Sequence, residues 1–155
     1  MFEGPVELLL VEDNPADREL TLHVLKRHNL ANRVKIARDG AEALDYFFGA
    51  DATATADGVP RIVLLDLKLP KVSGIEVLSR LKSDPRTKSV PVVVLTSSRQ
   101  DADLARCYEL GVNSYVVKPV DFGQFAEAVR QLGLYWLVLN QNAPPQPAAA
   151  SGGGL

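Results

Sequence analysis

The chain has 155 residues, 46% hydrophobic and 23% charged, with a formal net charge of -2 and a pI near 5.7. That length and balance suit one globular domain with a substantial core, and the near-neutral charge gives no electrostatic reason for a nucleic-acid or anionic-membrane partner. A single cysteine, Cys107, excludes an internal disulfide, and without a signal peptide or a stretch of transmembrane length the expected compartment is the cytoplasm.

Apolar runs alternate with amphipathic segments five times. Val6 to Val11 reads as a first strand, after which Asn14 and Pro15 open a helix from about Ala16 to His28, Asn14 as its N-cap and Pro15 at the first helical position. Arg33 to Arg38 is a short second strand, and Asp39-Gly40 leads into a helix from about Ala41 to Phe48. Gly49 to Pro60 is long, rich in small residues and expected to be a mobile loop. Arg61 to Asp66 is a third strand, Gly74 to Ser83 a third helix and Val90 to Thr96 a fourth strand. Asp101 or Asp103 is placed to cap a helix that stops at Leu110-Gly111, where glycine is the expected C-terminal residue. Ser114 to Lys118 is strand five, and Asp121 caps a last helix with Phe122, Phe125, Ala126, Val129 and Leu132 at helical spacing.

Continuous apolar runs such as Ile62-Val63-Leu64-Leu65 are how strands buried on both faces read. A (βα)5 order with short connections then implies a doubly wound parallel sheet of order 2-1-3-4-5, an α/β flavodoxin-like fold. The expected domain covers residues 1–140. Residues 141–155 (QNAPPQPAAASGGGL) lack anything to bury and read as a disordered Pro/Ala/Gly-rich tail.

Two of the apolar strands stop at carboxylates: Glu12-Asp13 after the first, Asp66 at the end of the third. In an open α/β sheet that C-terminal edge is where ligands bind. The ends of strands one, three, four and five bring Glu12, Asp13, Asp66, Thr96 with Ser97, and Lys118 with Pro119 to one rim. Two carboxylates about 5 Å apart at an effective dielectric near 20 repel by roughly 3 kcal/mol, so three of them take up protons or recruit a cation. Oxygen ligands at a partly solvated rim suit Mg²⁺. One divalent ion with Lys118 balances the three acids and makes the site receptive to an anion such as a phosphoryl group. Thr96 and Lys118 can bond to its oxygens, and Mg²⁺ can bridge to Asp66.

The blocks LLVEDNPADREL, IVLLDLKLPKVSGIEVL, VVVLTSS and YVVKPVDF, which span about Val6 to Val138, resemble the response-regulator receiver domains of two-component signalling. The resemblance implies that Asp66 accepts a phosphoryl group from a phosphohistidine on a sensor histidine kinase. It also implies that Glu12, Asp13, Asp66 and the backbone carbonyl of Lys68 hold Mg²⁺. Thr96 and Lys118 match the switch hydroxyl and the phosphate-pairing lysine, Tyr115 matches the aromatic switch, and Lys118-Pro119 matches a dipeptide whose bond is typically cis. Glu12, where many relatives carry Asp, changes reach to the metal without removing a ligand.

Outside that set the residues read plainly. His23 and His28 are expected on the surface of the first helix, and Cys107 in a helix without chemistry. Leu134 to Leu139 (LYWLVL) is apolar on every side of a helix, more than one domain can bury, so a homodimer through this stretch and the last helix is expected. The long loop, PVDF and this Trp-containing extension are similar to single-domain regulators paired with phytochrome-type histidine kinases. Such a protein acts through contacts with a downstream target or a phosphotransfer protein. A haloacid-dehalogenase-type phosphatase also uses a strand-end Asp with Mg²⁺, but needs a second Asp where this chain has Lys68. A degenerate receiver serving as a constitutive binding module would lack phosphorylation residues that this chain retains.

Overall fold

A computed structural model describes residues 7–28, 33–50, 59–112 and 114–133. Strands and helices alternate strictly: β1 (Leu8–Val11), α1 (Pro15–Arg27), β2 (Val34–Ala37), α2 (Gly40–Phe48) and β3 (Ile62–Asp66). The second half continues with α3 (Gly74–Ser83), β4 (Val92–Thr96), α4 (Ala102–Glu109), β5 (Ser114–Val117) and α5 (Phe122–Gln131). The strands form one parallel sheet of order 2-1-3-4-5, the doubly wound fold expected from the sequence. Within the described residues the strands run shorter than the spans predicted for them. Val90, for example, is turned out of β4 by a bond from its N–H to Thr87 O at 3.0 Å, and Pro91 has no N–H to give. Most of the Gly49 to Pro60 loop, the Leu134 to Leu139 stretch and the 141–155 segment lie outside the described residues.

Why the inner strands β1, β3 and β4 are so apolar is visible in the two covers of the sheet. Leu9, Val11, Val63, Leu65, Val92 and Val94 pack under α2, α3 and α4. Their alternating neighbours Leu8, Leu10, Ile62, Leu64, Val93 and Leu95, with Val116, pack under α1 and α5. Each fully buried aliphatic side chain contributes roughly 1.5–3 kcal/mol of transfer free energy, and in β1, β3 and β4 no polar residue appears on either face before the strand ends.

The helices start where sequence chemistry sets them. The Asn14, Asp39, Asp101 and Asp121 side chains accept from backbone N–H groups two or three residues on, which satisfies donors otherwise orphaned in the first turn. Ser73 and Glu76 form a reciprocal capping box at α3, each bond 3.2 Å. Gly111, just past α4, has φ of 100°, a left-handed turn that glycine adopts freely. Gly74 is fixed by space instead. A Cβ there would lie 2.3 Å from Asp66 O and 2.7 Å from Leu67 Cα, so α3 begins directly against the end of β3.

Candidate functional site at the carboxyl edge of the sheet

The acids stand where the strands stop. Asp66 ends β3, level with Leu95 of β4, and Thr96 ends β4, level with Val117 of β5. Glu12 follows β1 and continues its ladder, its N–H bonding Ala37 O at 3.0 Å. Glu12 and Asp66 are buried at 0% and 1% exposure, while Asp13 is more accessible. One oxygen from each of the three lies within 4.8 Å of the others.

Lys118 supplies the cation within this group. Its Nζ donates to Asp17 Oδ2 at 2.9 Å, Asp66 Oδ2 at 3.2 Å and Glu12 Oε1 at 3.4 Å, which uses all three ammonium protons. Burial opposes its charge, but the bond to Asp17 and the attraction of Asp66 and Glu12 outweigh that and hold the ammonium well above its usual range. Glu12 goes the other way for an acid. Burial first, then the adjacent Asp66 carboxyl, pushes it up to about 7 against the pull of Lys118 and the Asn14 N–H. The second oxygen of Asp66, Oδ1, accepts from Lys68 N at 3.0 Å. The Lys118-Pro119 peptide is cis, as the resemblance implied, and Gln124 of α5 bonds both the N–H and the C=O of Val117 at 2.9 Å, fixing the end of the sheet's edge strand.

The donor set fits a hard divalent ion: carboxylate oxygens only, with an excess of negative charge over Lys118 and close mutual spacing. The geometry thus brings together Glu12, Asp13, Asp66 and Lys118. Thr96 stands on the same edge of the sheet, but its side chain and that of Tyr115 make their contacts with other partners. Side-chain alternation puts both on the α3/α4 side of the sheet, opposite to Glu12, Asp66 and Lys118. Thr96 Oγ1 lies 3.0 Å from Ser98 O and 3.2 Å from Asp101 Oδ2. Tyr115 is half-buried, edge-on to Tyr108 of α4 at 6.5 Å between ring centroids, and lines an open hollow of about 490 Å³ with Arg99, Gln124, Glu127 and Gln131.

Residues 8–130 match the response regulator receiver domain, most of the chain. The chain belongs to the response regulator receiver family. Among solved structures the receiver resembles the bacteriophytochrome response regulator AtBRR at 53% identity and a TM-score of 0.78, covering 89% of this chain and 99% of that one. The Mn²⁺-bound form of the response regulator Rcp1 matches with a TM-score of 0.68 and 35% identity over 93% of this chain and 100% of that one; Rcp1 is a protein of Synechocystis sp.. The probable methanogenesis regulatory protein FilR2 of Methanothrix harundinacea is 43% identical over 92% of this chain and 91% of its own length. No helix among the described residues is long and apolar enough to cross a membrane.

Sequence reasoning missed three participants in the receiver's rim. Asp17 was legible only as an acid in the first turn of α1, and which way it faces depends on the phase of that helix. Arg18 donates from Nη1 to the carbonyls of Glu12 at 3.1 Å and Asp13 at 3.5 Å, shaping the loop that carries two of the acids. Asp101 reads from the sequence as a cap, but its bond to Thr96 carries no sequence signal. One expectation needs correcting: His28 is not a free surface residue. It is half-buried and stacks on Phe122 at 4.3 Å between centroids, because the C-terminus of α1 meets the N-terminus of α5. His23 is exposed as expected. Cys107 is buried, its thiol pushed up to about 11 by burial and then by Asp103 and Asp101, which suits a packing role.

Proposed function

We propose that Asp66 is the phosphoacceptor of a response regulator whose donor is the phosphohistidine of a sensor histidine kinase, of the phytochrome type. The observation that carries this reading is the meeting of Lys118, Asp66, Glu12 and Asp13 at the end of three different strands. A carboxylate oxygen of Asp66 attacks phosphorus, the P–N bond breaks, and its electron pair leaves with the imidazole nitrogen, giving an aspartyl phosphate. Lys118 already lies 3.2 Å from Asp66 Oδ2 and pairs with the added negative charge. The Thr96 hydroxyl turns to a phosphoryl oxygen and Tyr115 follows it, so the two faces of the sheet become linked. Glu12, Asp13, Asp66 and the Lys68 carbonyl would hold Mg²⁺, which would neutralise part of the charge on the transferred group. The chain is a signalling phosphoacceptor that supplies the positioning for its own phosphorylation and dephosphorylation rather than an enzyme acting on other molecules.

Output goes through contact with a downstream protein or a phosphotransfer protein in the cytoplasm, where a lone buried thiol is at home. The Leu134 to Leu139 stretch, apolar on all sides, supports a homodimer. Sedimentation at concentrations on the order of tens of micromolar checks that part, with a monomer counting against it. Acetyl phosphate with Mg²⁺, read by intact mass, tests the phosphoacceptor: the chain should gain one phosphoryl group and Asp66→Asn none. Modification that survives Asp66→Asn, or that ignores Mg²⁺, refutes the assignment.

A further inference from the structure

Thr96 is fully enclosed, and its hydroxyl bonds to Ser98 and Asp101. It is 1% exposed, accepts from Ser98 N at 3.3 Å, and has two acceptors within reach, Ser98 O at 3.0 Å and Asp101 Oδ2 at 3.2 Å. A hydroxyl has one proton, so these acceptors compete for it. A carboxylate is the stronger of the two, because an ionised acceptor roughly doubles the bond. Asp101 is built into position. Its side chain is 7% exposed, its other oxygen caps α4 by accepting from Asp103 N at 2.9 Å, and its own N–H bonds Ser98 O at 3.1 Å. Lys68, two residues past Asp66, reaches the Thr96-facing oxygen of Asp101 at 3.8 Å and can close on it when the hydroxyl leaves.

We propose that Asp101 is a positioning residue that holds the Thr96 hydroxyl towards α4 in the resting chain, and whose bond to Thr96 must break when that hydroxyl engages a phosphoryl group on Asp66. This rests on Asp66 being the phosphoacceptor. The consequence is mechanical: the carboxylate that loses Thr96 also caps α4, and α4 carries Tyr108 against Tyr115. Phosphorylation is thereby reported to the N-terminal turn of one particular helix, and the strength of one hydrogen bond sets how far the resting state is favoured.

The variant Asp101→Asn separates the two roles. Asparagine caps as well as aspartate, so its oxygen can keep Asp103 N, while its amide nitrogen cannot accept the Thr96 proton and offers the Thr96 oxygen only a neutral N–H, a weaker bond than the charge-assisted one it replaces. Beryllofluoride with Mg²⁺ is the probe. Its affinity, followed by tyrosine and tryptophan fluorescence, should tighten about 5- to 10-fold in Asp101→Asn, and change less than about 2-fold when the same substitution is made in a Thr96→Ala background. Equal shifts in both backgrounds mean that Asp101 acts only as a cap or a charge, and overturn the proposal, as does an unchanged affinity in the first. Hydrogen exchange at the Asp103 amide gives a second reading that needs no binding by the Thr96→Ala protein. It should speed up several-fold when wild type takes the probe, and also in unliganded Thr96→Ala; indifference to both overturns the proposal. Wild type that fails to take the probe at all defeats the phosphoacceptor reading as well, whereas binding without coupling defeats this inference alone.

Discussion

Glu12 gives the sharpest test of the site's electrostatics. It is wholly buried beside Asp66, with its carboxyl pushed up to about 7 from an ordinary 4.5. The sign follows directly. Between those two values the folded chain keeps a proton that the unfolded chain has released, so the free energy of unfolding falls as pH rises through that window. Below it both states are protonated and Glu12 contributes no pH dependence. Above it both are ionised and the folded state carries the full cost of the buried charge, on the order of 3 kcal/mol at about 1.4 kcal/mol per pH unit.

Glu12→Gln keeps the shape and removes the charge. In chelator-treated protein, urea unfolding should show the variant more stable than wild type by up to about 3 kcal/mol near pH 8, with the two converging near pH 5. Added Mg²⁺ should reverse the order at the higher pH, since wild type then gains a ligand that the variant lacks, and Mg²⁺ affinity should itself rise as pH passes 7 because proton and metal compete for the same oxygen. Parallel stability profiles for wild type and variant from pH 5 to pH 8 would refute the reasoning. The carboxylates that are held low, Asp84 at about 2 by its bonds to Arg86 and Asp121 by Gln124 N–H groups, titrate at more acid pH and act with the opposite sign, so they do not mimic the effect.

Two further substitutions probe the frame around the acids. Lys118→Met leaves Glu12, Asp17 and Asp66 facing one another without their shared cation; metal-free stability at neutral pH should fall by about 3 kcal/mol in the same urea titrations, and an unchanged midpoint would refute the role of the lysine as their common partner. Gly74→Ala drives a Cβ into the backbone at Asp66 and Leu67, so the start of α3 or the end of β3 at Asp66 must move. A loss of roughly 2–3 kcal/mol and a weaker response to beryllofluoride are expected, and a variant of unchanged midpoint would show that the close approach is relaxed in solution.

Much of this arrangement could be read before any coordinates because it rests on period and position along the chain. Ile62-Val63-Leu64-Leu65 has no polar face, which only a strand covered on both sides permits, and Asp66 directly after it must be the place where cover ends. The N-caps Asn14 and Asp121 are local devices and were equally legible. What escaped were contacts set by the phase of one element against another. Asp17 reaches Lys118 across 101 residues of chain, and His28 finds Phe122 only because α1 and α5 share one face of the sheet. Asp101 was visible as a cap, but the partner of its second oxygen depends on how closely the α4 turn lies over β4.

The pleat of the sheet divides the rim in two. Glu12, Asp66 and Lys118 have the parity of Leu10, Leu64 and Val116, which face α1 and α5, while Thr96 has the parity of Val92 and Val94, which face α3 and α4. Charge chemistry therefore collects over one face and the hydroxyl and aromatic over the other, and in the resting chain the side-chain bonds of Thr96 run to Ser98 and Asp101, whereas those of Lys118 run to the acids. A group added to Asp66 stands at the boundary between them. It extends beyond the strand end, where the alternation no longer separates the faces, and offers oxygens to both Lys118 and Thr96. On the proposed reading, a single small anion would join two half-sites that the fold itself keeps apart, and a local change at Asp66 would be felt at α4.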